Sequence, residues 1–344
     1  MRPLRNLMLL LFFTMVVYRL FAQSSAEPIY EIQFSGDGQL YGIFHSDCIP
    51  EAYTGQKVDI YDTRKGVLLF SIQPNQCMYS FDMSEDGTQV ALGLSGITEI
   101  WSLDTGEKKS QNAMVPAITD SVRWHPVYDY IGFLQGNIRI SDNRANHVIS
   151  FNFDTDDSDL CQGNFGPDMF EWFWSGQQLV SIERDDCIRT WDFETGEVIR
   201  TIGYHEDVSN LAVKPTDTQI ATVSNDGSVK IWDVDSMTIE VMTYQVHDTA
   251  ITSVEWHPSG LWIASADIDG HIHIWNPDNG TIIYSATYLG RVNDLAWHPS
   301  GDYLIYGGEG QDGFTTSLDK LHIATICTGI NLINSGDSPI CTSR

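Results

Sequence analysis

The sequence predicts an all-β chain built from seven copies of one four-stranded antiparallel unit, on three observations. A unit of about 40 residues recurs, polar and apolar residues alternate strictly within it, and Asp-Gly turns punctuate it. The pentapeptide WHPSG begins at Trp256 and again 41 residues later at Trp297. The whole unit is clearest over residues 208–245, VSNLAVKPTDTQIATVSNDGSVKIWDVDSMTIEVMTYQ. Stretches such as VKIW and HIHIW set side chains on two faces with period 2, which is strand geometry. The NDG and IDG turns close tight hairpins.

In chain order, the first element is a leader, MRPLRNLMLLLFFTMVVYRLFAQSS, in which Arg2 and Arg5 precede an uncharged apolar run from Leu7 to Tyr18 and small residues from Ala22. The run has 12 residues, whereas a spanning helix needs about 20. Residues 1–22 are therefore read as a signal peptide cleaved near Ala22, with an uncleaved anchor as the alternative, and the mature protein is expected to be secreted or periplasmic. The repeats follow over residues 23–326. Their third strands end at Ile60–Asp62, Ile100–Ser102, Ile140–Asp142, Thr190–Asp192, Ile231–Asp233 and Ile274–Asn276, with middle residues 40, 40, 50, 41 and 43 apart. The longest gap holds an acidic insertion, DTDDSDLCQG. A seventh unit opens with VNDLAWHPSGDYLIYGG but has no recognisable third ending. Only about six residues separate the cleavage site from Ile29, too few to lend the seventh unit a strand, so LHIATI at Leu321–Ile326 is assigned as its outer strand. Residues 327–344 form a tail.

Trp124, Trp174, Trp256 and Trp297 are placed at the ends of first strands, followed by HP, SG, HP and HP. Tryptophan packs between neighbouring sheets, while proline and glycine shape the reversal. WHPSG is thus a hairpin corner. His125, His257 and His298 fall one per unit, which suits architecture better than a shared metal site, whose ligands must converge at short range. His271 and His273 share one strand face and are read as packing or surface residues.

With its Trp-Asp endings and period, the repeat resembles the WD-repeat family over about residues 29–326. The resemblance implies a seven-bladed β-propeller of four-stranded antiparallel blades. It also implies a hydrogen-bonded set in each blade, in which a carboxylate accepts from an imidazole, and the imidazole and a hydroxyl link onward to an indole N–H. The fifth blade offers His205, Ser224, Asp226 and Trp232, all structural. The sixth has His247, Asp269 and Trp275 with Asp267 at the hydroxyl position, and the fourth has Asp185 and Trp191 with Glu183 there. The function implied is a non-enzymatic scaffold that binds a protein or peptide partner on one face. Contact candidates precede the turn aspartates: Arg184, Asn225 and Ile268.

The formal charge of −27 becomes −30 once the three leader arginines are removed, which disfavours nucleic acid and anionic membrane surfaces as partners. At 42% hydrophobic and 11% aromatic residues the chain has ample material for a core. Six cysteines in an exported chain suggest disulfides, with 15 connectivities among which spacing does not choose. The propeller resemblance makes sequential pairing of Cys48 with Cys77 and Cys161 with Cys187 geometrically reasonable, Cys327–Cys341 would latch the tail, and free buried thiols are the alternative. The insertion carries Asp154, Asp156, Asp157 and Asp159 but lacks the glycine and distal glutamate of an EF-hand loop. It is read as a solvated loop, with calcium binding as the alternative. NGT at Asn279–Thr281 fits an N-glycosylation acceptor. No GxSxG, HExxH, phosphate-binding loop or dinucleotide fingerprint is present, so no catalytic residue or cofactor is assigned. Two alternatives stay open: a propeller hydrolase or lyase with carboxylates and calcium in its central opening, and a glycan binder with Trp172 or Trp262 as a stacking platform.

Overall fold

In a computed structural model the described residues are 28–45, 56–118, 121–134, 136–142, 147–151, 167–184, 186–216, 219–234, 241–310 and 318–322. Strands are their only regular elements, arranged as seven antiparallel sheets that follow one another along the chain. Blades 1 to 7 span Ile29–Ile72, Met78–Ile118, Val122–Ser150, Pro167–Tyr204, Val208–Gln245, Ile251–Thr287 and Gly290–His322. Within a blade, consecutive strands pair with one another, as an up-and-down meander requires.

Blade 2 looks three-stranded only because Gln89–Ser102 runs without a break. Fourteen extended residues would span about 46 Å, yet Leu103 N donates to Thr88 O at 2.9 Å. The segment therefore folds back at Ser95–Gly96, where Gly96 has φ 84°, and the blade has four strands. In blade 7, Leu318–His322 pairs with Tyr303–Gly310 and is the third strand. The segment expected as an outer strand from Leu321 thus begins inside the third. The reason is visible in its burial: Leu318 fills the seam with blade 1 and Leu321 the seam with blade 6, and only a strand between two neighbours needs apolar residues on both faces.

The buried side chains form not one core but seven clusters, one between each pair of neighbouring blades. Phe44, Val58 and Ile60 of blade 1 meet Phe81, Val90 and Leu92 of blade 2; the series continues blade by blade. It ends where Ala296, Tyr303 and Ile305 of blade 7 meet Ile32, Tyr41 and Ile43 of blade 1. The ring is closed by the same side-chain packing that joins every other pair. Size is matched across the seams. Phe81 and Phe170 protrude from first strands, and a Cβ on Gly42 or Gly132 of the preceding blade would lie 2.6 or 2.8 Å from those rings. Glycine at these two places makes room for phenylalanine.

The hairpin corners stitch the same seams on one face of the ring. His257 Nδ1 accepts from Ser259 N at 3.1 Å, so the ring proton sits on Nε2, which donates to Gly301 O of blade 7 at 3.0 Å. His298 reaches Gly38 of blade 1 in the same way, and His125 reaches Gly176 of blade 4. The corner glycine is required twice over. Gly176 and Gly301 have φ of 71° and 74°, and a Cβ there would lie within 2.7 Å of the neighbour's imidazole. Blade 5 has Lys214 in place of the histidine, with Nζ 5.0 Å from the Trp256 ring of blade 6. The histidine of WHPSG is thus a staple between blades.

In blade 4 the strand-closing tryptophan is Trp172, not Trp174. The first strand is Pro167–Trp172, Phe173 takes the corner-histidine position, and Trp174 stands on the turn. Two tryptophans two residues apart satisfy one alternation pattern, so periodicity does not choose between them.

Candidate functional site: the loop face and the axial channel

The hydrogen-bonded set is present in blades 5 and 6, and as its indole–hydroxyl pair alone in blade 4, one pleat away from its expected register. In blade 5, Trp232 Nε1 donates to Thr222 Oγ1 at 2.9 Å, and His205 Nδ1 lies 2.7 Å from the same hydroxyl. Ser224 instead donates to Glu206 O, and Asp226 accepts from Ser228 N at 2.7 Å; the second ring nitrogen of His205 meets Ser228 Oγ. Blade 4 pairs Trp191 with Ser181, and its Glu183 is buried against Arg189. In blade 6, Trp275 donates to Ser265, His247 Nε2 meets the same hydroxyl at 2.7 Å, and His247 Nδ1 meets Asp267 Oδ2 at 2.9 Å. Asp267 is therefore the carboxylate of that set. Asp269 only donates its backbone N–H to Asp267, and Asp185 lies outside the described residues.

The correction has a geometric cause. Trp232 is opposite Ile220, and an indole that leans along the sheet meets the hydroxyl two residues further on the same face. The sequence carries the signal, since Ser181, Thr222 and Ser265 each precede their tryptophan by 10 residues. Burial lowers the His205 pKa to about 4, with Lys230 adding to it against Asp226, so the ring is a neutral joint at neutral pH. His271 bonds to Asp267 at 3.1 Å and His273 to Ser285 at 2.9 Å, as hydrogen-bonding members of the sheet surface.

The second-to-third-strand turns and the links between blades lie on one face, opposite the corners. Asn225 N donates to Asp207 O, Ile268 N to Ala250 O and Ser95 N to Cys77 O, each joining a turn to the link beside it. This face presents the three contact candidates together. Arg184 is exposed and donates to Asp168 at 3.0 Å; Asn225 and Ile268 are exposed at equivalent turns of blades 5 and 6. Sequence reasoning missed their apolar neighbours. Leu289, on the link into blade 7, is 74% exposed, and Tyr30, Tyr79 and Tyr204 are exposed at the ends of strands bordering the links. Exposed Glu206, Asp207, Asp248 and Asp269 interleave with them.

The first strands of successive blades lie next to one another around the ring axis. Each pairs with only one strand of its own sheet, so its other edge must be satisfied elsewhere. Side chains of the neighbouring blade do this. Ser209, Thr252 and Asn293 donate to the carbonyls of Ile251, Val292 and Ile29. In return, Ile32 N donates to Asp294, Phe81 N to Glu31, Val122 N to Ser80 and Trp124 N to Asp82, at 2.6 to 3.1 Å.

Among the described residues the channel that results is acidic, with Arg123 as its cation. Arg123 of blade 3 donates through Nε to Glu171 of blade 4 at 2.8 Å, and its Nη1 lies 3.3 Å from Glu31 of blade 1, which is not a neighbour. Its guanidinium therefore reaches across the opening. Burial opposes its charge, but Glu171, Glu31 and Asp82 outweigh that and hold it protonated. Burial raises the carboxyls: Asp82 to about 8, Asp294 to about 7, Glu31 upward, and Glu255 well up, with Asp294 and Glu171 adding to it. The sequence signal was a charged residue directly before the strand-closing Trp124, Trp172 and Trp256.

Of the remaining expectations, Trp172 is 4% exposed and packs between blades 3 and 4, so it is no platform. Trp262 is half-buried against His257. The exposed indole is Trp174, at 51%. Cys77 and Cys187 are each disulfide-bonded. Cys48, Cys161, Cys327 and Cys341, the leader, the 154–159 loop and the tail lie outside the described residues. No helix among the described residues is long and apolar enough to cross a membrane.

Residues 196–233, 239–276 and 280–314 match the WD domain, G-beta repeat family. The chain is 30% identical over 86 residues to the Arabidopsis thaliana transcriptional corepressor LEUNIG_HOMOLOG, covering 25% of this chain and 11% of that protein. It is 27% identical over 85 residues to mouse WD repeat-containing protein 37, covering 24% and 17%. It is 27% identical over 146 residues to the U3 small nucleolar RNA-associated protein 21 homolog of Schizosaccharomyces pombe, covering 42% and 15%. The matches thus span less than a fifth of each relative's length. The crystal structure of the Myceliophteria thermophila Cps50 (Swd1) β-propeller domain superposes with a TM-score of 0.71 over 85% of this chain and 96% of that one, at 13% identity, which establishes the fold alone. Repeats and relatives together support a WD-repeat β-propeller.

Proposed function

We propose that this WD-repeat propeller is an exported, non-enzymatic scaffold that binds a protein or peptide partner on the face formed by its inter-blade links. The observation that carries the reading is that exposed Arg184, Asn225, Ile268 and Leu289 share that face, on a ring held by packing and hydrogen bonds at every seam. Rigid presentation lowers the ordering cost of binding. Export rests on the leader, and the bonded state of Cys77 and Cys187 accords with an oxidising compartment. Sequential pairing of these two with Cys48 and Cys161 belongs to the same proposal.

The channel carboxylates have other duties than a hydrolytic pair. Glu31, Asp82 and Asp294 accept backbone N–H groups, and Glu31 and Glu171 hold Arg123. One observation favours the glycan alternative, the exposed indole of Trp174 on the corner of blade 4, where its Nε1 donates to Val213 O of blade 5 at 3.4 Å. The test is affinity capture from the producer's exported proteins with the chain from Gln23, alongside a variant carrying Arg184→Ala, Asn225→Ala and Ile268→Ala. A protein retained by the parent and lost by the variant supports the scaffold and its face. Retention that survives those changes but falls with Trp174→Ala moves the site to the corner face.

A further inference from the structure

The ring axis gathers Glu31, Asp82, Glu171, Glu255 and Asp294 from blades 1, 2, 4, 6 and 7 around a single guanidinium, that of Arg123. The cation is placed asymmetrically. It contacts Glu171 and Glu31 and lies within electrostatic reach of Asp82. Among the described residues Asp294 and Glu255, on blades 7 and 6, contact no cation and repel each other, although the Arg123 charge reaches Glu255 without outweighing burial. Asp294 nevertheless holds a seam. Its Oδ2 accepts Ile32 N of blade 1 at 2.8 Å and its Oδ1 accepts the Ser253 hydroxyl of blade 6 at 2.7 Å. That seam joins residues 262 positions apart, so side-chain packing and these bonds hold it without a short covalent link.

We propose that the axial channel is a pH-sensitive latch on ring closure: its carboxyls tie neighbouring blades together while some of them carry protons, and as they become charged their repulsion loosens the ring, first at the seam between blades 7 and 1. The direction follows from linkage. A carboxyl held above its unfolded pKa binds a proton in the folded chain that the unfolded chain has released, so stability falls as pH rises from the unfolded to the folded value. Burial puts Asp82 at about 8 and Asp294 at about 7, with Glu255 and Glu31 also raised. Buried histidines act oppositely. His125, His205, His257 and His273 are lowered, by burial first, and destabilise the fold as pH falls through about 6.5, where their unfolded forms take up protons, an effect largely gone by about pH 7.5. The window from about pH 7.5 to 8.5 is therefore nearly free of the histidine contribution.

The experiment is urea unfolding of the full chain, disulfides intact, at several values across that window, with hydrogen exchange corrected for its intrinsic pH dependence. Each carboxyl that keeps its proton in the folded state raises the unfolding equilibrium constant about tenfold per pH unit. Glu255→Gln, which removes no backbone hydrogen bond, is expected to lower the slope. Asp302→Asn, on the corner face, leaves it unchanged. The Ile32 amide is expected to lose protection as pH rises, ahead of amides within blade 5 such as Val223. Stability that is flat or rising from about pH 7.5 to 8.5 overturns the proposal, as does Glu255→Gln with the parental slope. Should that variant fail to fold, the parental slope and the order of amide opening decide the matter alone.

Discussion

Blades 5 and 6 and blades 1 and 2 solve the same joint with different chemistry. In blades 5 and 6 a tryptophan, a hydroxyl and a histidine lock the third strand to the second and to the preceding link. Blade 1 has Tyr61 stacked on Tyr41 at 5.0 Å, and a buried Asp59 that collects His45, Lys57 and Ser71. Blade 2 turns its tryptophan outward, so that Trp101 Nε1 donates to Glu99, which also holds Lys108. The lesson is that a blade needs a filled seam and a satisfied polar joint, not one set of residues. The repeats matched to the WD family run from residue 196 to 314, where the regular joint is found.

The largest break in this comparison is expected from Trp232→Ala. Trp232 is fully buried and also packs on Gly203, so urea unfolding should show a loss of about 3–5 kcal/mol. Tyr61→Ala, at the half-buried equivalent in blade 1, should cost clearly less. Next comes the joint itself. Thr222→Val keeps the volume but takes the partner from the Trp232 indole N–H and from His205 Nδ1, for about 1–3 kcal/mol. Ser224→Ala should cost no more than about 1.5 kcal/mol, and an equal effect of the two changes would restore Ser224 to the joint.

At the corners, Gly301→Ala places a Cβ against His257 at a positive φ, and calorimetry should register a loss of about 1–3 kcal/mol. His257→Ala combined with it should recover part of that loss, because the clash is then gone. The smallest effect separates the two joints by pH. Folded His205 resists protonation down to about 4, so its contribution is complete above about 6.5 and is lost as pH falls through that range. Asp59 is held at about 2: burial works against its charge, but His45, Ser71 and Lys57 outweigh that, so its contribution is complete above about 3.8 and is lost only below it. His205→Gln should therefore remove one histidine's share of the pH dependence of the urea midpoint between about pH 6.5 and 4, and Asp59→Asn should leave that interval unchanged.

The fold class and the unit boundaries were legible in the sequence because strand alternation and turn glycines are local properties. The first six third-strand endings and the corner role of WHPSG follow from the period, whereas the placement of Arg184, Asn225 and Ile268 on one face came from the resemblance to the propeller family. Registers within the unit were not legible in the same way. Ser224 and Thr222 sit two residues apart on one strand face, and Trp172 and Trp174 are likewise two residues apart, one closing the strand and one on the turn, so a pattern of period 2 cannot distinguish either pair.

By itself, then, the sequence determined seven repeated antiparallel units, their turns, and which residues alternate inward. Only the tertiary structure decided which hydroxyl meets which indole, which tryptophan is exposed, and that charged residues preceding the strand-closing tryptophans converge on one axis. Arg123 and Glu31 are 92 positions apart, and Asp294 and Ile32 are 262 apart. Their proximity comes from closure of the ring, and closure is a property of seven packed seams that no single repeat contains.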